Sequence, residues 1–149
     1  MHTGPQDRLR AAGLRVTRPR LTVLAVLDDA TTAHEHLPVL DVERRARAAL
    51  GTLSRQAVYD CLEALAAAGL ARRIEPAGHP ARYEARVGDN HHHLVCRGCG
   101  VTTDVDCVTG QAPCLDAPSG PGFVVDEAEV IFWGRCRTCA PHRAPAPAN

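Results

Sequence analysis

The sequence contains no lysine, and all 17 of its basic residues are arginine. That choice has no functional meaning by itself. Aromatic residues make up only 3%, so any core must be built from Leu, Val and Ala. A light core in a small domain often needs a staple such as a metal ion. There is no run of about 18 consecutive apolar residues, the length a membrane-spanning helix requires. No apolar stretch follows the N-terminus, so a secretory signal is not expected. These absences lead us to expect a cytoplasmic chain, where thiols stay reduced. Against that background, seven cysteines point to metal or redox chemistry before disulfides.

The 149 residues suit one compact domain or two small ones. Formal net charge is zero, but it is unevenly spread. Residues 1–86 carry 13 Arg against 10 acidic residues, and residues 87–149 carry 4 against 7. The basic half is the one suited to approach phosphates.

Residues 1–87 read as helices followed by a hairpin. Thr17 before Arg18 and Pro19 is an N-cap followed by an early-turn proline. Leu21, Val23, Leu24 and Leu27 then recur at helical spacing up to about Ala30. A second helix is expected over 40–50, stopping at Gly51. A third is capped by Ser54, with Val58, Cys61, Leu62, Leu65 and Ala68 on its apolar face and Gly69 as its stop. Segments 70–75 and 81–87 read as strands joined by a turn at 76–80 that contains Gly78. Helices followed by a hairpin suggest a winged helix-turn-helix. Residues 88–140 read as a second, small α/β domain with strands over 93–96, 101–106 and 124–133. The fold class is therefore α+β. The Pro/Ala-rich residues 141–149 are expected to be a disordered tail.

Cys-Arg-Gly-Cys-Gly (96–100) and Cys-Arg-Thr-Cys (136–139) are two knuckles. Each can place two thiolates on one side of a tight turn, and together they complete a tetrahedral sulfur shell for Zn²⁺. Cys96, Cys99, Cys136 and Cys139 are thus expected to hold one structural zinc. Two redox dithiols or plain buried thiols are the competing readings. Four sulfurs close the shell, which excludes a catalytic role for that ion. Cys61 reads as a small core residue. Cys107 and Cys114 flank a Gly/Pro-containing loop and could form a reversible disulfide.

His91, His92 and His93 precede the first knuckle. Alternation along a strand lets His91 and His93 point together while His92 points away. Asp104 lies on the expected partner strand, Glu84 ends the hairpin, and His36 precedes the second helix. Three imidazoles and two carboxylates make a nitrogen/oxygen set suited to Fe²⁺, Mn²⁺, Zn²⁺ or Ni²⁺. Such a site would draw ligands from both domains. A solvated polar His run is the alternative.

The polar face of the third helix carries Arg55, Gln56 and Tyr59 next to the Ser54 cap, as a DNA-recognition helix would. Arg15, Arg18 and Arg20 can supply backbone contacts, and Arg82 can do so from the wing. An ordinary amphipathic surface helix is the alternative.

Taken together these residues resemble the ferric uptake regulator family over roughly residues 8–139. The resemblance rests on Gly13-Leu-Arg-Val-Thr-Arg-Pro-Arg, Ser54-Arg-Gln-Ala-Val-Tyr, Ala68-Gly-Leu, Arg82-Tyr-Glu, the His-x-His-x-x-Cys-x-x-Cys-Gly run at 91–100, and the second knuckle. It is nearest to the actinobacterial branch of iron- and peroxide-responsive regulators of catalase genes. The resemblance implies a homodimer with winged-helix N-terminal domains and a C-terminal dimerisation domain. It also implies structural Zn(II) at the four knuckle cysteines. A regulatory Fe(II) or Mn(II) would sit at His36, Glu84, His91, His93 and Asp104. The metal-loaded dimer would repress transcription on an AT-rich inverted-repeat operator in double-stranded DNA, with Tyr59 and Arg15 at DNA-contact positions. Three positions depart from the family pattern: Asp60 where many members carry Arg, Ala128 in place of a His of a second metal site, and the His36-Leu-Pro-Val-Leu segment without its usual acidic residues. His34 is the fallback ligand for His36.

Asp104 favours a peroxide sensor, in which peroxide oxidises a ligand histidine in a reaction catalysed by Fe(II), and Glu84 leans towards plain iron or zinc sensing. No membrane or small-molecule substrate is expected. A metalloenzyme and a zinc-ribbon module without DNA binding are the readings from other classes; the first lacks a substrate-pocket signature.

Overall fold

The computed structural model describes residues 3–89, 91–107, 121–125 and 129–140. The chain divides into two compact units, Met1–Asp89 and Asn90–Asn149. The expected tail at 141–149, the Cys107–Cys114 pairing and the Ala128 departure all depend on residues outside the described ones.

The first unit is built from four helices and a small sheet. They are α1 (Pro5–Ala11), α2 (Arg18–Thr32), α3 (Val39–Leu50) and α4 (Arg55–Ala67). Thr17 caps α2 by accepting a hydrogen bond from the Arg20 amide at 3.3 Å. Ser54 caps α4 by accepting from the Ala57 amide at 3.1 Å. Each cap satisfies a donor that the first helical turn leaves unpaired. Gly51 ends α3 at φ 85°, a conformation that disfavours a side chain. The expected second and third helices are both present, and α2 runs on to Thr32.

The apolar faces converge. Val23, Leu24, Val26, Leu27 and Ala30 of α2 meet Val58, Cys61, Leu62 and Leu65 of α4, with Val42 and Ala46 of α3 and Leu9 of α1 in the same cluster. Cys61 is buried there, as expected of a core residue, and burial pushes its thiol pKa up.

The wing is a three-stranded sheet of β1 (Leu37–Pro38), β2 (Arg72–Ile74) and β3 (Arg82–Glu84), in the order β1-β3-β2. The hairpin β2–β3 falls where expected, with Gly78 in its turn at φ 80°. Neither α1 nor β1 was expected. A two-residue strand is too short to show periodicity, and it exists because β3 offers an edge for it to pair with.

The second unit is a sheet of β4 (His91–Cys96), β5 (Thr102–Asp106) and β6 (Ile131–Gly134), ordered β5-β4-β6. β4 pairs antiparallel with β5 and parallel with β6. Of the strand expected over 124–133, residues 131–133 lie in β6, which runs on to Gly134, while 126–128 lie outside the described residues. Val124 is 95% exposed, and β6 forms where β4 supplies partners.

Leu62 is completely buried in the helical core. Leu62→Ala should destabilise the protein by ~2–5 kcal/mol. Urea unfolding followed by far-UV circular dichroism measures it.

Candidate metal centres

The parallel register of β4 and β6 explains how two knuckles 37 positions apart come to meet. Cys96 is the last residue of β4 and pairs with Gly134 at the end of β6. Parallel strands end at the same edge of a sheet, so the turns leaving β4 and β6 emerge side by side. The Arg97 amide extends the ladder by donating to the Gly134 carbonyl at 2.8 Å. The Arg97 guanidinium then lies 4.9 Å from the centre of the Trp133 ring. Each knuckle closes on itself: the Gly100 amide donates to Cys96 O at 2.9 Å, and the Cys139 amide donates to Cys136 O at 3.0 Å.

The four sulfurs lie within 4.8 Å of one another. Cys99 Sγ and Cys136 Sγ are 3.7 Å apart. The Cys136 amide donates to Cys96 Sγ at 3.3 Å. That amide, followed by the amide of Cys99, lowers the Cys96 pKa to about 5. The Cys139 amide lowers Cys136 as well. Cys139 is pushed the other way, up to about 12, by the side chains of Cys136, Cys96 and Cys99. This is a set of sulfurs poised to be thiolates that cannot all ionise beside one another unless a cation sits among them. An all-sulfur tetrahedral donor set suits Zn²⁺.

Gly98 is part of the fit. A Cβ at this position would lie 2.8 Å from Cys139 Sγ and 3.1 Å from its Cβ. The first knuckle has room for the second only because residue 98 has no side chain.

The expected nitrogen/oxygen ligands form one group in each unit. In the first unit, β1–β3 pairing sets Leu37 opposite Tyr83, which puts His36 beside Glu84. His36 Nε2 lies 2.8 Å from Glu84 Oε2, and both side chains are buried. The Arg82 guanidinium holds the His36 carbonyl at 3.0 Å. Thr31 Oγ1 accepts from the Ala85 amide at 3.2 Å, tying the end of α2 to the residue after Glu84. Of the two histidines considered for this position, His34 is exposed and sits at φ 56°, while His36 is buried against the carboxylate.

In the second unit, His93 pairs with Asp104 in the β4–β5 register. Asp104 Oδ1 lies 3.5 Å from His91 Nε2 and 3.8 Å from His93 Nε2. The two rings meet edge to face with centroids 5.0 Å apart. His92 lies instead near Phe132, with ring centroids 6.4 Å apart. The alternation expected of the His run is therefore present. Both groups are buried imidazole–carboxylate sets, the donor chemistry of a borderline divalent cation.

The residues proposed to face DNA differ in how far their side chains are already engaged. Ser54 is occupied as the α4 cap. Tyr59 is 39% exposed on α4, and Gln56 donates to Asp60 at 2.9 Å on the same exposed face. Arg15 is exposed, and its carbonyl accepts from the Arg20 guanidinium at 2.9 Å. Arg55 is paired with Glu43 at 2.7 Å, a partner that sequence reasoning missed because an acidic residue on an apolar helix face reads as solvent-facing.

The sequence profile of the ferric uptake regulator family matches residues 11–112. The chain belongs to this family. Members of the ferric uptake regulator family are transcription regulators, and this chain is a metal-binding one. It is 58% identical over 134 residues to the transcriptional regulator FurA of Mycobacterium tuberculosis, covering 90% of this chain and 88% of that protein. It is 52% identical to ferric uptake regulation protein 2 of Mycolicibacterium fortuitum, covering 91% and 92% of the two chains. Among solved structures, the ferric uptake regulator of Pseudomonas aeruginosa with manganese superposes with a TM-score of 0.71 at 27% identity, over 91% of this chain and 99% of that one. Its fold supports the assignment of the first unit as a winged-helix DNA-binding domain. Among the described residues, no helix is long and apolar enough to cross a membrane.

Gly98→Ala should weaken the sulfur site without touching a ligand. Competition with a chromophoric zinc chelator should show zinc leaving the variant at lower chelator concentration than the unsubstituted protein.

Proposed function

We propose that this protein is a cytoplasmic, metal-dependent repressor that binds an inverted-repeat operator as a homodimer and senses peroxide through oxidation of a ligand histidine. The observation that carries the reading is the pair of buried imidazole–carboxylate groups, His36 with Glu84 and His91 and His93 with Asp104. One Fe(II) or Mn(II) shared by all five residues would tie the DNA-binding unit to the second unit and favour one arrangement of the two. Moving such an equilibrium from mostly one state to mostly the other takes a preference of about 5 kcal/mol. Several new ligand contacts are enough to supply it.

The knuckle cysteines hold structural Zn(II), which lies outside the signalling step. Arg15, Arg20, Ser54, Arg55, Gln56, Tyr59 and Arg82 form the DNA-facing set, with α4 as the recognition helix. Homodimerisation is supported by the apolar face of the second sheet. There, neighbouring Leu94 and Phe132 are 40% and 47% exposed, and Val101 is 47% exposed. Exposed apolar side chains grouped in this way mark association surfaces.

When bound, Fe(II) would catalyse transfer of one peroxide oxygen to a ligand imidazole, His36 or His91, which loses two electrons while the other oxygen leaves as water. The chain's own part is to bury those imidazoles and hold them against carboxylates. Loss of one ligand would release the metal and then the DNA. The relatives named for ferric uptake regulation favour a second reading, an iron or zinc availability sensor without peroxide chemistry.

Anaerobic protein loaded with Fe²⁺ and then treated with hydrogen peroxide separates the two. Peptide mass spectrometry should find one added oxygen on a peptide containing His36 or His91. Peptides without it would leave the availability sensor, which metal titrations of operator binding then assign to iron or zinc. His91→Ala should remain a folded, zinc-loaded dimer whose DNA binding no longer tracks the second metal, whereas Cys96→Ser should lose zinc, dimer and DNA binding together. Size-exclusion chromatography with elemental analysis reads the dimer and the zinc of both variants, and operator gel shifts with and without the second metal read their DNA binding.

A further inference from the structure

Glu43 is a charged residue in the wrong place for a plain surface helix. It lies on the α3 face that buries Val39, Val42 and Ala46, and its side chain is only 5% exposed. A carboxylate so placed must be paired. Both of its oxygens are engaged: Oε2 accepts from Arg55 Nε at 2.7 Å, and Oε1 lies 3.0 Å from an Arg47 guanidinium nitrogen. Arg47 in turn donates its Nε to the Leu53 carbonyl at 2.6 Å. Leu53 immediately precedes Ser54, the cap of α4. A single buried carboxylate thus organises α3, the turn and the first residue of α4.

Arg55 occupies the first position of α4, where the helix dipole is unfavourable to a cation. Glu43 offsets that cost and selects the side-chain direction. The hydrogen bond from Arg55 is the chief reason that Glu43 titrates below the ordinary carboxylate range, so the clasp is ionised at neutral pH. The contact uses the Nε edge of a guanidinium that has five donors, and the Arg55 side chain remains 58% exposed.

We propose that Glu43 is a positioning residue for operator recognition: it fixes Arg55 at the start of the recognition helix with its outer edge presented to DNA. This rests on the reading of α4 as the DNA-facing helix. It makes a counter-intuitive prediction, because removing a negative charge near phosphates should by Coulomb's law alone tighten binding.

The experiment uses the full-length, Mn²⁺-saturated protein and a duplex selected by the unsubstituted protein from a random library. Glu43→Gln, Arg55→Ala and the double variant are compared at one salt concentration, with urea unfolding of each run alongside. Glu43→Gln should weaken operator binding about tenfold. In the Arg55→Ala background it should cost less than about twofold more, because its effect passes through Arg55. A purely structural carboxylate would cost the same in both backgrounds. Should Glu43→Gln fail to fold, Glu43→Asp takes its place in the same cycle, keeping the charge but withdrawing the carboxylate. Unchanged or tighter binding by the Glu43 variant, or an undiminished loss in the Arg55→Ala background, overturns the proposal and leaves DNA binding standing. If the unsubstituted protein selects no duplex, the DNA-facing reading itself fails, and the proposal with it.

Discussion

Four cysteine sulfurs within 4.8 Å of one another cannot all be thiolates without a cation among them. The second unit is organised around that constraint. Among the described residues its sheet has three strands, one of them only four residues long. Parallel pairing of β4 with β6 lacks the tight turn that stabilises an antiparallel hairpin. The sulfur cluster supplies the missing closure by clamping the ends of both strands. The clamp also sets where the histidines lie, because Cys96 and His93 belong to the same strand and Asp104 to the strand beside it. A metal bound at the knuckles would therefore also steady the strands that carry His91, His93 and Asp104.

The two buried imidazole–carboxylate groups show a common logic. Each consists of residues on or next to adjacent strands whose register places them side by side, and each keeps charge-bearing groups away from water. Such groups are costly to bury unless they bind something or bind each other.

The DNA-binding unit uses charge differently. Its core is aliphatic, and α2 and α4 begin at capping hydroxyls. Its most buried acid on a helix, Glu43, is engaged by two arginines. It sits where α3 meets the start of α4, in contact with both a turn-holding and a surface-facing arginine.

Much of this was legible in the chain itself. Thr17 and Ser54 mark helix starts, the 3.6-residue periodicity marks the core faces, and the two knuckles mark a sulfur site, because each of these signals is local. His91 and His93 could be assigned to one face from alternation alone. Tertiary structure decided the rest. The burial of His36 beside Glu84, with His34 left exposed, comes from a two-residue strand that pairs with β3. The meeting of knuckles 37 positions apart comes from a parallel strand pair that no local pattern announces. The engagement of Arg55 by Glu43 joins two helices across 12 positions. The physical reason is the same in each case: caps and periodicity act within a few bonds, whereas strand register and buried charge pairing depend on which distant segment arrives alongside.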